Sequence, residues 1–193
     1  MLDLVCEVPD QFLSQEGISK GVMNLVSRER SNNILKLVRP IKETAGGSAA
    51  NTISTLAKLG LKTGYIGKIA DDPKGKVFKK DLLDNSIFYN TDFLDKDYTE
   101  ATGKCIVLIT PDKERTMNTY LGATEFLTDV DIDEELIAKV NGCILKDIDL
   151  MGKKVKRLFI KLLKLQKKIK QKLQLPFLIV FVLIDIDLIL SIS

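Results

Sequence analysis

The stretch ETAGGSAANTISTLAKLGLKTGYIG, residues 43–67, confines the chain to few folds. Two adjacent glycines run into small residues and then into apolar positions Ile53, Leu56, Ala57 and Leu59, which recur at helical spacing. Gly60 stands where a left-handed C-terminal cap belongs, and KTGYIGKI then reads as a strand. Next, DDPKGKVFKKDLLDNS reads as a turn feeding a second amphipathic helix. KCIVLITP and RTMNTYLG read as two strands joined by the tight polar turn DKE, and TDVDIDEELIAKV places acids at the start of a third helix. Strands alternating with helices predict an α/β layer fold with a partly parallel sheet. The two-stranded element near residues 103–120 is expected as a side feature of that sheet. Upstream, residues 2–42 alternate short apolar runs such as LDLVCEV and NILKLVRPI with polar connectors, and predict short strands and turns.

With 193 residues, the chain can bury one real core but not two comfortable ones. Three widely separated cysteines, Cys6, Cys105 and Cys143, make neither a CxxC pair nor a disulfide ladder, and fit a reducing, cytoplasmic setting. The chain has no histidine, which removes histidine acid/base chemistry and most zinc constellations.

The net charge of +3 conceals a split. Residues 1–152 carry 19 Lys and Arg against 24 Asp and Glu, whereas residues 153–193 carry 10 against 2. In that second part KKVKRLFIKLLKLQKKIKQKLQ is basic and amphipathic, and PFLIVFVLI is wholly apolar. Taken literally, this is a membrane-surface anchor. The apolar run over residues 176–184 falls far short of the roughly 20 residues a span requires, and Asp185 and Asp187 stop it.

The glycine pair has a chemical meaning as well as a conformational one. Gly46 and Gly47 let backbone approach a ligand closely and expose N–H groups to hydroxyl or anionic oxygens. Asn51 adds a donor and an acceptor, which suits a sugar diol. A turn ahead of a helix would use the same glycines.

AGGSAANTISTLAKLGLKTGYIGKIADDPKG resembles, nearly position for position, the N-terminal signature of the ribokinase-like (PfkB-type) carbohydrate kinases. ATGKCIVLITPDKERTMNTYLGATEFLT resembles the lid and following segment of their adenosine-kinase-like branch, and LDLVCEVPDQFLSQEGISKGVMNLV its opening. The resemblance implies a three-layer, Rossmann-like α/β domain with a small β lid, incomplete here at both ends. It implies transfer of the γ-phosphoryl group of ATP, with Mg²⁺, to a hydroxyl of a sugar or nucleoside. By position, Asp3 matches the aspartate that binds substrate hydroxyls, and Gly46, Gly47 and Asn51 match the diol-binding loop. Arg115 matches a residue that could swing toward phosphate. The partner implied is a small sugar or nucleoside, with no nucleic acid and no membrane.

Phosphoryl transfer also needs a base, donors for developing charge and a nucleotide site. In this family a D-T-x-G-A-G-D motif supplies the anion hole and the catalytic aspartate. The chain contains no such motif, so no catalytic residue and no metal ligand is assigned, and ATP binding is not expected of it. Residues 1–140 are therefore expected to be the N-terminal part of a kinase domain including its lid. Residues 141–193 are expected to be a tail without family character. Adenosine-kinase-like members continue with a strand and loop resembling KIALTLSDSFCVDRHR. One choice of synonymous codons for KIAITLSDSFCVDRHR, which has Ile for Leu at the fourth position, read one base on, encodes KLQLPFLIVFVLIDI, which is identical to residues 172–186. The tail then reads as family sequence out of frame, with the shift between about residues 140 and 171. The rivals are a non-catalytic sugar- or nucleoside-binding module with a basic membrane-surface tail, and a split kinase completed by a second chain. Resequencing the gene on independent DNA is expected to show the shifted frame open and running on to a D-T-x-G-A-G-D segment. Early closure of the other frames would instead make the basic tail a real feature.

Overall fold

The computed structural model of the chain describes residues 1–133, 136–137, 142–144 and 181–184. Its elements run β1 (Leu2–Glu7), α1 (Asp10–Gln15), β2 (Met23–Leu25), α2 (Arg28–Leu37), β3 (Lys42–Ala45), α3 (Ser48–Lys58), β4 (Thr63–Ile66) and α4 (Pro73–Asp84). They continue with β5 (Lys104–Ile109), β6 (Arg115–Tyr120), two short 3-10 turns (Gly122–Phe126 and Asp129–Asp131), β7 (Gly142–Ile144) and β8 (Phe181–Ile184).

Five strands form one mixed sheet in the order β2-β6-β5-β1-β3. β1 runs parallel to β5 and antiparallel to β3, β5 and β6 are antiparallel, and β2 is parallel to β6. The hairpin expected as a side feature is thus the middle of this sheet. The reason is its parallel pairing with β1, and KCIVLI is accordingly buried over its first five positions, as a strand with neighbours on both edges is. A second sheet has the order β4-β8-β7, and both of its pairings are antiparallel.

Alternation in β1 explains the layering. Leu2, Leu4 and Cys6 are fully buried, while Asp3 and Val5 are half-buried on the other face. Leu4, Cys6, Ile106 and Leu108 pack under Leu13 of α1 and Ile34 of α2. A second core joins α3, β4 and α4 through Ile53, Tyr65, Phe78 and Leu82.

The strands-and-turns reading of residues 2–42 needs correcting, because α1 and α2 lie within it. NILKLV was read as extended, yet the Ser27 hydroxyl accepts the Arg30 N–H at 3.1 Å and caps a helix there. Ser31 and Ile34 then fall on its buried side, three residues apart. The capping residue, not the apolar run, decides the element. Elsewhere Gly60 does terminate α3, at φ +89°. The third helix begins to show at residues 136–137, with the rest of it outside the described residues. The basic amphipathic stretch lies outside them as well. Among the described residues no helix is long and apolar enough to cross a membrane.

One ion pair fastens the end of β4 to the segment after β6. The Lys68 ammonium lies 2.5 Å from Asp131, with side chains only 11% and 5% exposed. Asp131 also accepts the Thr128 N–H at 2.9 Å and its hydroxyl at 3.2 Å. Lys68→Met is expected to cost roughly 3–5 kcal/mol, because it strands a buried carboxylate. The double change Lys68→Met with Asp131→Leu should recover most of that loss, as urea midpoints will show.

Candidate acceptor-binding site

β1 and the loop after β3 bring three of the sequence-assigned residues together. The β1–β3 register sets Asp3 opposite Thr44, so the chain turns through Gly46 directly over the Asp3 carboxylate. A Cβ built on Gly46 would lie 2.0 Å from the Asp3 carboxyl carbon. Only glycine fits there. Gly47, at φ +89°, then opens α3 and turns its N–H toward Asp3 as a hydrogen-bond donor. The carboxylate therefore sits at the start of a helix, where a backbone N–H meets it.

The electrostatics follow from that placement. Burial raises the Asp3 pKa, against the opposing pull of the chain's amino group, the Gly47 N–H and the Arg115 charge. Asn51 lies one turn into α3 with its side chain exposed, and its N–H donates to Gly47 O at 3.0 Å. Arg115 is exposed and not beside Asp3. The registers place it opposite Ile109 and Glu7, two strands across and about 13 Å along the sheet from the Asp3 row.

Two neighbours of Asp3 escaped the reading of the sequence. Register aligns Thr44, Asp3, Cys105, Thr119 and Leu25 in one row across all five strands. Cys105 and Thr119 are buried, and the Thr119 hydroxyl donates to Cys105 Sγ at 3.4 Å. Burial pushes the Cys105 thiol up to about 11, so it stays protonated near neutrality and is no nucleophile. Both belong to the face that also holds Asp3. Strand alternation in KCIVLI and RTMNTY carried that signal, but only once the pairing register was known. Among the described residues no group of three or more acidic or cysteine side chains is gathered to hold a metal.

The chain matches the model of the pfkB family of carbohydrate kinases over residues 18–178. It belongs to that family. A curated relative, the 5-dehydro-2-deoxygluconokinase of Listeria monocytogenes, is 35% identical over 130 residues, covering 58% of this chain and 38% of the relative. The solved structure of adenosine kinase from Sinorhizobium meliloti superposes with a TM-score of 0.82 at 29% identity, covering 90% of this chain and 52% of that one. A probable sugar kinase from Rhizobium etli gives 0.81 at 28% identity, with 89% and 52% covered. The fold is thus the ribokinase-like α/β fold of the pfkB kinases, and the chain spans about half the length of these solved structures. The family match passes residue 140 and ends before β8.

A pH dependence follows from Asp3. Its folded pKa is raised, so its contribution to stability is present below the ordinary carboxylate value and lost as pH rises through the raised value. Asp3→Asn keeps the shape and the acceptor for Gly47 N–H but never ionises. Its urea midpoint relative to the unsubstituted chain is expected to rise as pH climbs above the ordinary carboxylate value and the raised Asp3 pKa is passed. A flat difference would mean that Asp3 titrates like a solvated carboxylate.

Proposed function

We propose that the chain is the acceptor-binding part of an ATP-dependent kinase for a sugar or nucleoside, with an adenosine-like acceptor favoured. The observation that carries this reading is the Asp3 carboxylate, seated against the missing side chain of Gly46 and met by the Gly47 N–H. A half-buried carboxylate with free acceptor capacity is suited to a pair of sugar hydroxyls, which supply donors without bringing charge. Asn51, one turn along α3, offers a donor and an acceptor to the same diol. Cys105 and Thr119 give a small, uncharged floor beside it. Arg115 stands away from this row, and its guanidinium would swing toward phosphate from the β5–β6 hairpin, which we read as part of the lid.

ATP with Mg²⁺ supplies the phosphoryl group in the family. The described residues do not fit a donor site, since they gather no acidic cluster and the chain contains no D-T-x-G-A-G-D. No transfer step is therefore assigned to them, and the chain by itself is proposed to be inactive. We place it in the cytoplasm. Residues 141–193 are proposed to be read out of frame, on the strength of the charge break and the codon identity at residues 172–186. The family match through residue 178 covers part of this segment, so the base sequence decides the point. The strongly basic composition of the tail supports the second reading, a binding module that rests on anionic membranes.

Titration by ligand-observed NMR tests both readings. Adenosine, ribose and 5-dehydro-2-deoxygluconate are the probes, the last because of the Listeria relative. Saturable binding of adenosine with a Kd near about 1 mM, some 4 kcal/mol, is expected, together with loss of binding in Gly46→Ala and no ATP turnover. Preference for the acidic sugar would change the acceptor class. Tight binding to phosphatidylserine vesicles without nucleoside binding would favour the membrane module.

A further inference from the structure

The stretch ADDPKG forms the turn ahead of α4, yet its second aspartate does more than cap a helix. Asp72 Oδ1 accepts the Gly75 N–H at 2.7 Å, which is the ordinary N-cap bond of α4. The same carboxylate reaches across to Thr102, 30 residues on. Its Oδ2 accepts the Thr102 N–H at 2.8 Å, and its Oδ1 accepts the Thr102 hydroxyl at 2.8 Å. Thr102 Oγ1 in turn accepts the Ala70 N–H at 3.0 Å. Thr102 is 1% exposed, so these bonds lie out of water, where losing one is costly. No side chain could be added at Gly75 without striking Ala70 O at 2.1 Å and Thr102 Oγ1 at 2.8 Å.

What Thr102 anchors is the root of the β5–β6 hairpin. The two ends of that hairpin cross tightly. A Cβ on Gly103 would lie 2.4 Å from Leu121 O, and one on Gly122 would lie 2.2 Å from Ala101 O. Ala123 N–H closes the crossing on Ala101 O at 2.9 Å. Gly103 O then accepts the Leu2 N–H at 3.0 Å, the first rung between β1 and β5. Asp3 stands one residue past Leu2 and Cys105 two residues past Gly103, and the two are paired in register. A continuous path of short bonds therefore leads from the α4 cap to the Asp3 row.

We propose that Asp72 is a positioning residue for the Asp3 face: through Thr102 it fixes the root of the β5–β6 hairpin and so keeps Cys105 and Thr119 seated beside Asp3. A simple cap needs one carboxylate oxygen and a neighbour three residues away. Here both oxygens are engaged, and two of the three bonds go to the hairpin root. The consequence for ligand affinity rests on the acceptor-site reading, but the positioning itself does not.

The test uses the full chain and its own thiols. Cys105 lies on the Asp3 face and Cys6 on the opposite face of the same sheet, both buried. Alkylation by N-ethylmaleimide, followed by peptide mapping, reads the opening of each separately. Asp72→Ser retains a capping oxygen but cannot span to Thr102, and Thr102→Val keeps the shape and the N–H but loses the hydroxyl. Labelling of Cys105 is expected to rise roughly tenfold in Asp72→Ser and by less in Thr102→Val, with Cys6 unchanged and Thr102→Ser near the unsubstituted rate. A parallel rise at Cys6, or no rise at Cys105, would overturn the proposal, since the first is general unfolding and the second shows no coupling. Absence of adenosine binding by the unsubstituted chain would count against the acceptor reading and leave this labelling contrast decisive.

Discussion

The close approach of Gly46 to Asp3 is the constraint around which the described part of the chain is arranged. A half-buried carboxylate cannot be left without donors, and one that meets it is the Gly47 N–H at the start of α3. That N–H reaches it only because β1 is gripped on both sides. β3 brings the glycines over Asp3 from one edge, and β5 brings Cys105 beside it from the other. Shifting either pairing by one residue would turn Asp3 into the apolar layer where Leu2 and Leu4 now lie. The buried faces of α1 and α2 thus indirectly fix the polar row on the opposite face of the sheet.

The carboxylate's raised pKa belongs to the same economy of structure. A cation placed beside Asp3 would hold it ionised and more stable, but would also occupy the acceptor positions that a hydroxyl ligand needs. The chain's amino group, the Gly47 N–H and a distant Arg115 do not outweigh burial, and the protein accepts a less stable ionised form. The neighbouring thiol carries the same signature. Cys105 is buried and held protonated, which keeps the floor of the row uncharged. The polar row is held by close backbone approach and single hydrogen bonds, not by charge pairing.

Much of this was legible in the sequence, and the parts that were not share a cause. Helix α3 with its Gly60 terminus, strand β4, helix α4 and the β5–β6 hairpin all followed from periodicity and turn chemistry. The grouping of Asp3 with Gly46 and Gly47 came from the family resemblance, not from periodicity. Helix α2 was missed because its apolar residues are few, and its formation depends on one hydroxyl, that of Ser27. Cys105 and Thr119 were missed because alternation states which residues share a face of a strand, while only register states which strands meet. The central place of β5 is a long-range fact of the same kind, since its partner β1 lies about 100 residues earlier.

Strand β4 shows how far a long-range demand can be met without a specific sequence. All four of its residues are buried, as in a strand with neighbours on both edges. Phe88 serves one edge: the Tyr65 N–H donates to Phe88 O at 2.8 Å, and the Phe88 N–H donates to Thr63 O at 2.9 Å. β8 serves the other. An unpaired edge next to a buried face would strand backbone donors and acceptors, so this edge must be filled. The segment that fills it reads FVLI, and ladder hydrogen bonds ask of it only an extended backbone. Aromatic and β-branched residues adopt that backbone readily. The constraint that the β4 ladder places on residues 181–184 is therefore one of strand propensity, and identity enters only at the strands that carry the Asp3 row.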